Sequence, residues 1–460
     1  MLRKFIGDKA FYKRLLAIMI PILIQNVITN FVSLLDNIMV GQVGTEPMSG
    51  VAIINQILFI FNLCIFAVTA AAGIYSAQYF GKGDMDGVRK SFRLKLWFSA
   101  TVLVVFIAIL VPLQDFFVGT FLHQGEENLD LAATLGYAKD YLKVMIIGLL
   151  PFAVSQSYGS TLREAGKTVV PMRAGIIAVF VNLVFNYILI FGKLGMPAMG
   201  VTGAAIATVI SRYVEVFIIV IWTHRHKEEL GYAKGLYSTI FVPASLVGKV
   251  IKMGFPLVLN EFLWSTGMTM LNQCYSLRGL EVVSACNIAS TIASLFFCAF
   301  FSMGATVSIM IGQLLGAGEL DRAVDEDNKL IAFSVALCTA TGILMALLAP
   351  AIPEIYNTTD LVKQLAADMI IVNAIMMPFN AFINACYFTL RSGGKTWITF
   401  LFDSAFIWAV CLPAAIILSR FTDMHIIPMY AIVHALENIK IIIGVVMLKK
   451  RAWVHNLVSE

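Results

Sequence analysis

Twelve apolar runs of about 20 residues recur along this 460-residue chain, each long enough to cross a hydrocarbon core roughly 30 Å thick. Inside lipid every backbone N–H and C=O must find a partner within a helix or a closed barrel. The runs are far too long for barrel strands, so the sequence predicts an all-α integral membrane protein. Composition agrees: 59% of residues are hydrophobic and 13% charged, against about 25% charged in soluble domains. The spans are expected near 14–40, 50–80, 94–118, 136–158, 169–191, 199–222, 250–276, 284–314, 328–352, 364–390, 397–419 and 427–448.

In a soluble chain a net charge of +5 would suggest nucleic acid as a partner; here its placement matters more. Met1 to Arg14 holds Arg3, Lys4, Lys9, Lys13 and Arg14 with no cleavable small-residue site behind it, and reads as a basic cytoplasmic lead-in. With both termini inside, the inner segments hold about 25 of the 33 basic residues, Lys82, Arg89, Lys90, Arg93 and Lys95 among them. The expected location is the cytoplasmic (inner) membrane, multi-pass, with both ends in the cytoplasm. Loops are short apart from an acidic stretch, Gln124 to Asp130, and a mixed segment, Thr223 to Lys252. All seven cysteines fall within apolar runs, without metal-ligand spacing, and read as small core residues.

Sliding the chain along itself by 235 positions pairs Pro21 with Pro256, Asn37 with Asn272, Gln78 with Gln313, Gly81 with Gly316, Gly83 with Gly318 and Asp86 with Asp321. Further on, at an offset of 228, Thr161-Leu162-Arg163-Glu164-Ala165-Gly166-Lys167-Thr168 reappears as Thr389-Leu390-Arg391-Ser392-Gly393-Gly394-Lys395-Thr396. Apolar bias alone would not align Gly, Gln, Arg and Lys, so the chain is a duplication. An even number of spans per copy gives both copies the same orientation, as in parallel-repeat transporters. The expected architecture is twelve transmembrane helices in two parallel six-helix repeats around a central cleft. The first lobe is assigned to 1–224, a cytoplasmic linker to 225–249 and the second lobe to 250–460.

An acid inside a span costs at least a few kcal/mol and calls for a reason. Asp36 lies more than about 30 Å along the first helix from Arg14, with no Lys or Arg near it in that span. A carboxylate in a dry site takes up a proton or a cation readily; an acid hydrogen-bonded near a helix end would look the same. Asn182 and Asn186 sit one turn apart on the fifth span. Their amide oxygens, the Thr208 hydroxyl and Asp36 would make an all-oxygen pocket suited to a hard cation or a shared proton. Asn pairs also serve simply as glue between helices. Glu261, beside Asn260 and just before Trp264, falls near the middle of the seventh span and suits an organic cation through charge and ring-face attraction. Gln56 and Asn380 complete the candidate substrate contacts.

Other features read as structural. Arg212 with Glu215, and Asp403 with Glu437 and Lys440, are expected to neutralise one another. Pro21, Pro256, Pro151 and Pro378 are placed inside spans, as candidate hinges or simple packing kinks, and Gly81-Lys82-Gly83 and Gly316-Ala317-Gly318 as tight turns. The six histidines have no ligand spacing.

Asp36-Asn37-Ile38-Met39-Val40-Gly41 with Gly44 resembles the first-helix signature of the multidrug and toxic compound extrusion (MATE) family. So do Asn182-Leu183-Val184-Phe185-Asn186-Tyr187 onward to Gly192, and Gly200-Val201-Thr202-Gly203 onward to Thr208. The paired Leu-Arg-x-x-Gly-Lys-Thr segments look like the family's loops after helices four and ten, and the match spans nearly the whole chain. The resemblance implies an antiporter, not an enzyme, that expels organic cations and drugs as a monomer, with no cofactor beyond a coupling ion, Na+ or H+. In that family the aspartate matching Asp36 binds the coupling cation, with partners matching Asn182 and Thr208. Departures are visible: one branch has a second aspartate where this chain has Asn186. Another has an acid where this chain has Asn380, and a seventh-helix acid a few residues beyond Glu261. The coupling ion is therefore not inherited from either branch.

Other readings stand beside this, among them an intramembrane enzyme, which would need a Ser-His or Glu-His pair at one depth, where no His shares mid-span depth with Glu261 or Asp36. A lipid-linked precursor flippase would want several Arg or Lys lining its cavity, and only Arg212 reads as an Arg well inside a span. A non-transporting membrane receptor has no need of an internal duplication.

Overall fold

The computed structural model describes residues 5–121 and 131–459. The acidic stretch at 124–130, and Arg3 and Lys4 of the basic lead-in, lie outside the described residues. Among the described residues every regular element is helical. The first repeat holds α1 (Lys9–Gly41), α2 (Thr45–Lys82), α3 (Met85–Leu110), α4 (Gln114–Phe121), α5 (Leu131–Met145), α6 (Leu149–Glu164), α7 (Val169–Phe191) and α8 (Gly200–Arg225). After the short α9 (Lys227–Leu230) come α10 (Ala244–Ser276), α11 (Leu280–Gly316), α12 (Leu320–Leu348), α13 (Asp360–Ser392), α14 (Thr396–Phe400), α15 (Leu412–Phe421), α16 (Ile426–Glu437) and α17 (Ile439–Lys449).

Among the described residues eleven helical stretches are long and apolar enough to cross a membrane, which makes this a multi-pass membrane protein. The remaining expected span, at 250–276, falls in α10, which is 33 residues long but diluted by polar residues such as Asn260 and Glu261. The third expected span ends earlier than 118, because α3 stops at Leu110 and the chain turns before α4.

Two compact units emerge. One comprises Met1–Leu23, Ala77–Gly83 and Lys249–Glu460; the other comprises Ile24–Ser76 and Asp84–Gly248. The core of the second centres on Ile54, Phe61, Ile65, Leu142, Leu149 and Ala205. The larger cores of the first lie around Met345, Met369, Cys411 and Met429 and around Leu15, Met310, Leu315 and Trp453.

The duplicated glycines have two different jobs. Gly83 and Gly318 adopt positive φ (80° and 79°), as the turns after α2 and α11 require. Gly81 and Gly316 are instead helix-crossing residues. A Cβ at Gly81 would overlap the Gln313 backbone, and one at Gly316 would overlap the Gln78 backbone. The ends of α2 and α11 therefore cross reciprocally through equivalent positions of the two repeats. The chain's last segment is bound to the same place. Gln78 Nε2 donates to the Ser392 and His455 carbonyls, Leu457 N–H donates to Gln78 Oε1, and Lys82 Nζ donates to the Val458 carbonyl at 2.6 Å.

The segment assigned as a linker lies along α3. Arg89, Arg93 and Trp97 recur every four residues and so share one face of that helix. They donate to carbonyls at Gly231 and Tyr232, at Gly235 and Leu236, and at Ile240. Tyr232 and Leu236 are buried beneath them. Burial, with the field of Glu164 adding to it, pushes the Tyr232 phenol above its ordinary pKa.

Pro21, Pro256 and Pro378 lie inside α1, α10 and α13 as expected. Pro151 also lies inside a span, Ala132–Glu164. It stands in the first turn of α6, behind a 3₁₀ turn at Ile146–Gly148 that separates α5 from α6.

Candidate functional site

The polar residues of the first repeat gather where α7 and α8 meet α1. Gly192 ends α7 in the left-handed region (φ 66°), and Met199 N–H donates back to the Leu189 carbonyl at 2.8 Å. Gly203 lets α8 approach the Leu189 backbone so closely that a Cβ would overlap it. That hairpin brings Thr208 opposite Asn182, with Asn182 Nδ2 3.3 Å from Thr208 Oγ1. Asn186 Nδ2 donates to Asp36 Oδ1 at 2.7 Å and to Asn182 Oδ1 at 3.1 Å. Turned about its Cβ–Cγ axis, the Asn182 amide would place its nitrogen 2.9 and 3.0 Å from the two Asp36 oxygens and its oxygen 3.3 Å from Thr208 Oγ1. That second orientation aims a donor at a bare carboxylate, while setting the Asn182 nitrogen 3.1 Å from Asn186 Nδ2. Both asparagines are buried, Asp36 is partly buried, and Asn186 Oδ1 has no hydrogen-bond donor. Among the described residues Asp36 forms no ion pair. All four residues singled out for a cation are thus within one hydrogen-bonded cluster.

The substrate candidates are distributed differently. Asn260 is 2% exposed, and its amide is fully used. Nδ2 donates to Asp403 Oδ2 at 3.1 Å and reaches Tyr387 Oη at 3.5 Å, while Oδ1 accepts from Ser404 N–H and Oγ. Glu261 is partly buried and feels the fields of Arg391 and Asp403. Trp264 follows one turn after Asn260 and packs against the core. Asn380 on α13 is partly buried, and Gln56 on α2 is exposed.

Of the two expected neutralising sets, one forms direct ion pairs. Lys440 Nζ lies 3.5 Å from both Asp403 Oδ1 and Glu437 Oε2. Arg212 and Glu215 attract one another through the field and, among the described residues, not by direct contact. Arg212 donates to the Gly148 carbonyl at 3.1 Å and stacks 5.1 Å over the Phe152 ring, because the 3₁₀ turn before Pro151 presents that carbonyl to it.

Buried charges were missed, Lys95 and Asp327 among them. Lys95, read as part of an inner basic segment, is fully buried and holds both oxygens of Glu164 at 2.8 and 2.6 Å, with Ser160 Oγ and Thr161 Oγ1 completing its shell. In the second repeat Thr389, the counterpart of Thr161, donates instead to buried Asp327 at 2.6 Å. The equivalent threonines of the duplicated motif thus each serve a buried charge, of opposite sign in the two repeats. The signal available was the duplicated motif itself, which departs from its copy at Glu164.

Comparison with known proteins follows the same outline. The MatE family model matches twice, at residues 21–188 and 256–419, and the two matches start 235 positions apart, the offset of the internal repeat. A probable multidrug resistance protein NorM of Thermotoga maritima is 26% identical over 418 residues, covering 90% of this chain and 87% of that protein. The fold is similar to the outward-facing conformation of a multidrug resistance MATE family transporter of the MOP superfamily (TM-score 0.82, 18% identity, 98% of each chain). It is also similar to an Asp-to-Asn variant of the Vibrio cholerae MATE transporter VcmN (TM-score 0.83, 16% identity, 98% of this chain and 99% of that one). Two copies of the family model on a duplicated bundle of membrane-spanning helices settle the matter: this chain belongs to the MatE family of membrane transporters.

Proposed function

We propose that the protein is a cation-coupled antiporter that exports organic cations and drugs by alternating access, with both termini in the cytoplasm. The observation that carries this reading is Asp36. It is an acid on a membrane-spanning helix, without an ion pair among the described residues and held by Asn186 at 2.7 Å. A monovalent cation would find there the Asp36 carboxylate, Asn186 Oδ1, the Thr208 hydroxyl and, with the amide unturned, Asn182 Oδ1 facing that carboxylate. A proton would instead let the carboxyl donate to one of those oxygens. Both ions, Na+ and H+, fit the donor set. Glu261, with Trp264 and Asn380, is the reading for substrate contact in the second lobe. Asn260 contributes to it through Asp403, and Gln56 is the candidate from the first.

The test is drug efflux from proteoliposomes with a sodium or a proton gradient imposed separately. Efflux should respond to one gradient and lose that response in Asp36→Asn. Normal gradient-driven efflux by that variant would place the coupling site elsewhere.

A further inference from the structure

A second group of charges lies in the other lobe, and the backbone is irregular on both helices that carry it. Between α14 and α15 the helix widens into two successive π turns, Leu401–Ala405 and Ile407–Cys411, and Asp403 stands in the first. The cause is local: Ser404 N–H and Oγ turn to Asn260 Oδ1, which fastens this wide turn to α10. The last membrane-spanning stretch breaks at Asn438, between α16 and α17, with Glu437 just before the break and Lys440 just after it. Wide turns and broken helices cost backbone hydrogen bonds and recur at functional sites. Here the two converge on three side chains.

Lys440 is 1% exposed. An ammonium has three protons to place. Among the described residues this one has two carboxylate oxygens, both 3.5 Å away, and the Phe406 ring face 5.5 Å from Nζ. Lys95 in the first lobe shows what a tight fit looks like, with four oxygens at 2.6–3.0 Å. Lys440 is thus loosely held between two acids whose side chains are 24% and 21% exposed. The neighbouring charges, Glu261 and Arg391, offset one another, and His434 lies within the field of Glu437.

We propose that Lys440 is the resident cation of the second lobe, a tethered ammonium occupying the place between Asp403 and Glu437 that a monovalent cation from solution would otherwise take. With it in place the lobe that bears the substrate-facing acid needs no coupling ion of its own, and coupling falls to Asp36 alone. This rests on the reading of Asp36 given above.

The test is thermal unfolding of the purified full-length protein in detergent, titrated with NaCl, KCl or methylammonium chloride. Lys440→Ala should melt below wild type. It should regain stability from at least one of these cations in a saturating manner, by about 3–5 °C beyond the wild-type response at a hundredfold excess over the dissociation constant. Lys440→Arg should respond as wild type does. If Lys440→Ala is recovered unfolded, Lys440→Gln keeps most of the side-chain volume and both acids and should show the same gain. A folded variant of either kind that none of the cations stabilises beyond wild type overturns the proposal. Adding Asp36→Asn separates the two readings: the cation gain of Lys440→Ala should persist in that background, whatever becomes of coupling at Asp36.

Discussion

Replacing Lys95 by methionine would leave Glu164 charged in the interior of the first lobe, and the structure sets the size of the effect. The ammonium touches the carboxylate at 2.6 Å, which at an effective dielectric near 20 is worth about 6 kcal/mol of attraction. Removing both charges from water costs several kcal/mol each, so the intact pair contributes little net stability. Removing one partner is different: the survivor keeps its desolvation cost and loses its partner, which destabilises by about 3–5 kcal/mol. For a chain of this length that corresponds to a fall of about 3–10 °C in melting temperature. Glu164→Gln alone should cost a similar amount, because Lys95 is fully buried. The double variant Lys95→Met with Glu164→Gln should recover most of the loss and lie within about 2 kcal/mol of wild type. Melting of all four proteins in one detergent measures the cycle. A double variant that falls by the sum of the single losses would refute the reasoning, since the two side chains would then act independently.

Two further outcomes are expected. Arg93→Ala removes the donors to the Leu236 and Gly235 carbonyls, at 2.8 and 3.0 Å. Hydrogen exchange across 231–240 should then quicken by roughly thirtyfold, from a loss of about 2 kcal/mol, while exchange elsewhere is unchanged. Gly81→Val and Gly316→Val should each destabilise by about 1–3 kcal/mol, because each presses on the same reciprocal crossing. Melting of the double variant should show less than the sum; full additivity would mean that the two glycines do not share one contact.

How far the molecule could be read from its sequence depended on whether the informative residues were rare in their surroundings. Asp36, Asn182, Asn186 and Thr208 are polar positions in apolar helices, and the i, i+4 spacing of the asparagines already put them on one face. Their convergence needed only the α7–α8 hairpin, whose Gly192 and Gly203 were visible too. Lys95 gave no such signal. Its burial depends on where α3 begins, at Met85, and on Glu164 arriving from another helix. A lysine ten residues into a helix near a basic loop looks the same whether it faces water or a partner. The repeat identified Gly81 and Gly316 as a matched pair but not the reason. Glycine is demanded by positive φ and by close approach alike, and only the crossing on Gln313 and Gln78 tells them apart from Gly83 and Gly318. Lys440 lies between these cases. The sequence showed that two acids and a base on later helices would meet. It did not show the π turns and the break at Asn438, since both arise where side chains such as Asn260 compete with the helix for its own backbone groups. In the second repeat a buried lysine stands between two acids, whereas among the described residues Asp36 of the first forms no ion pair.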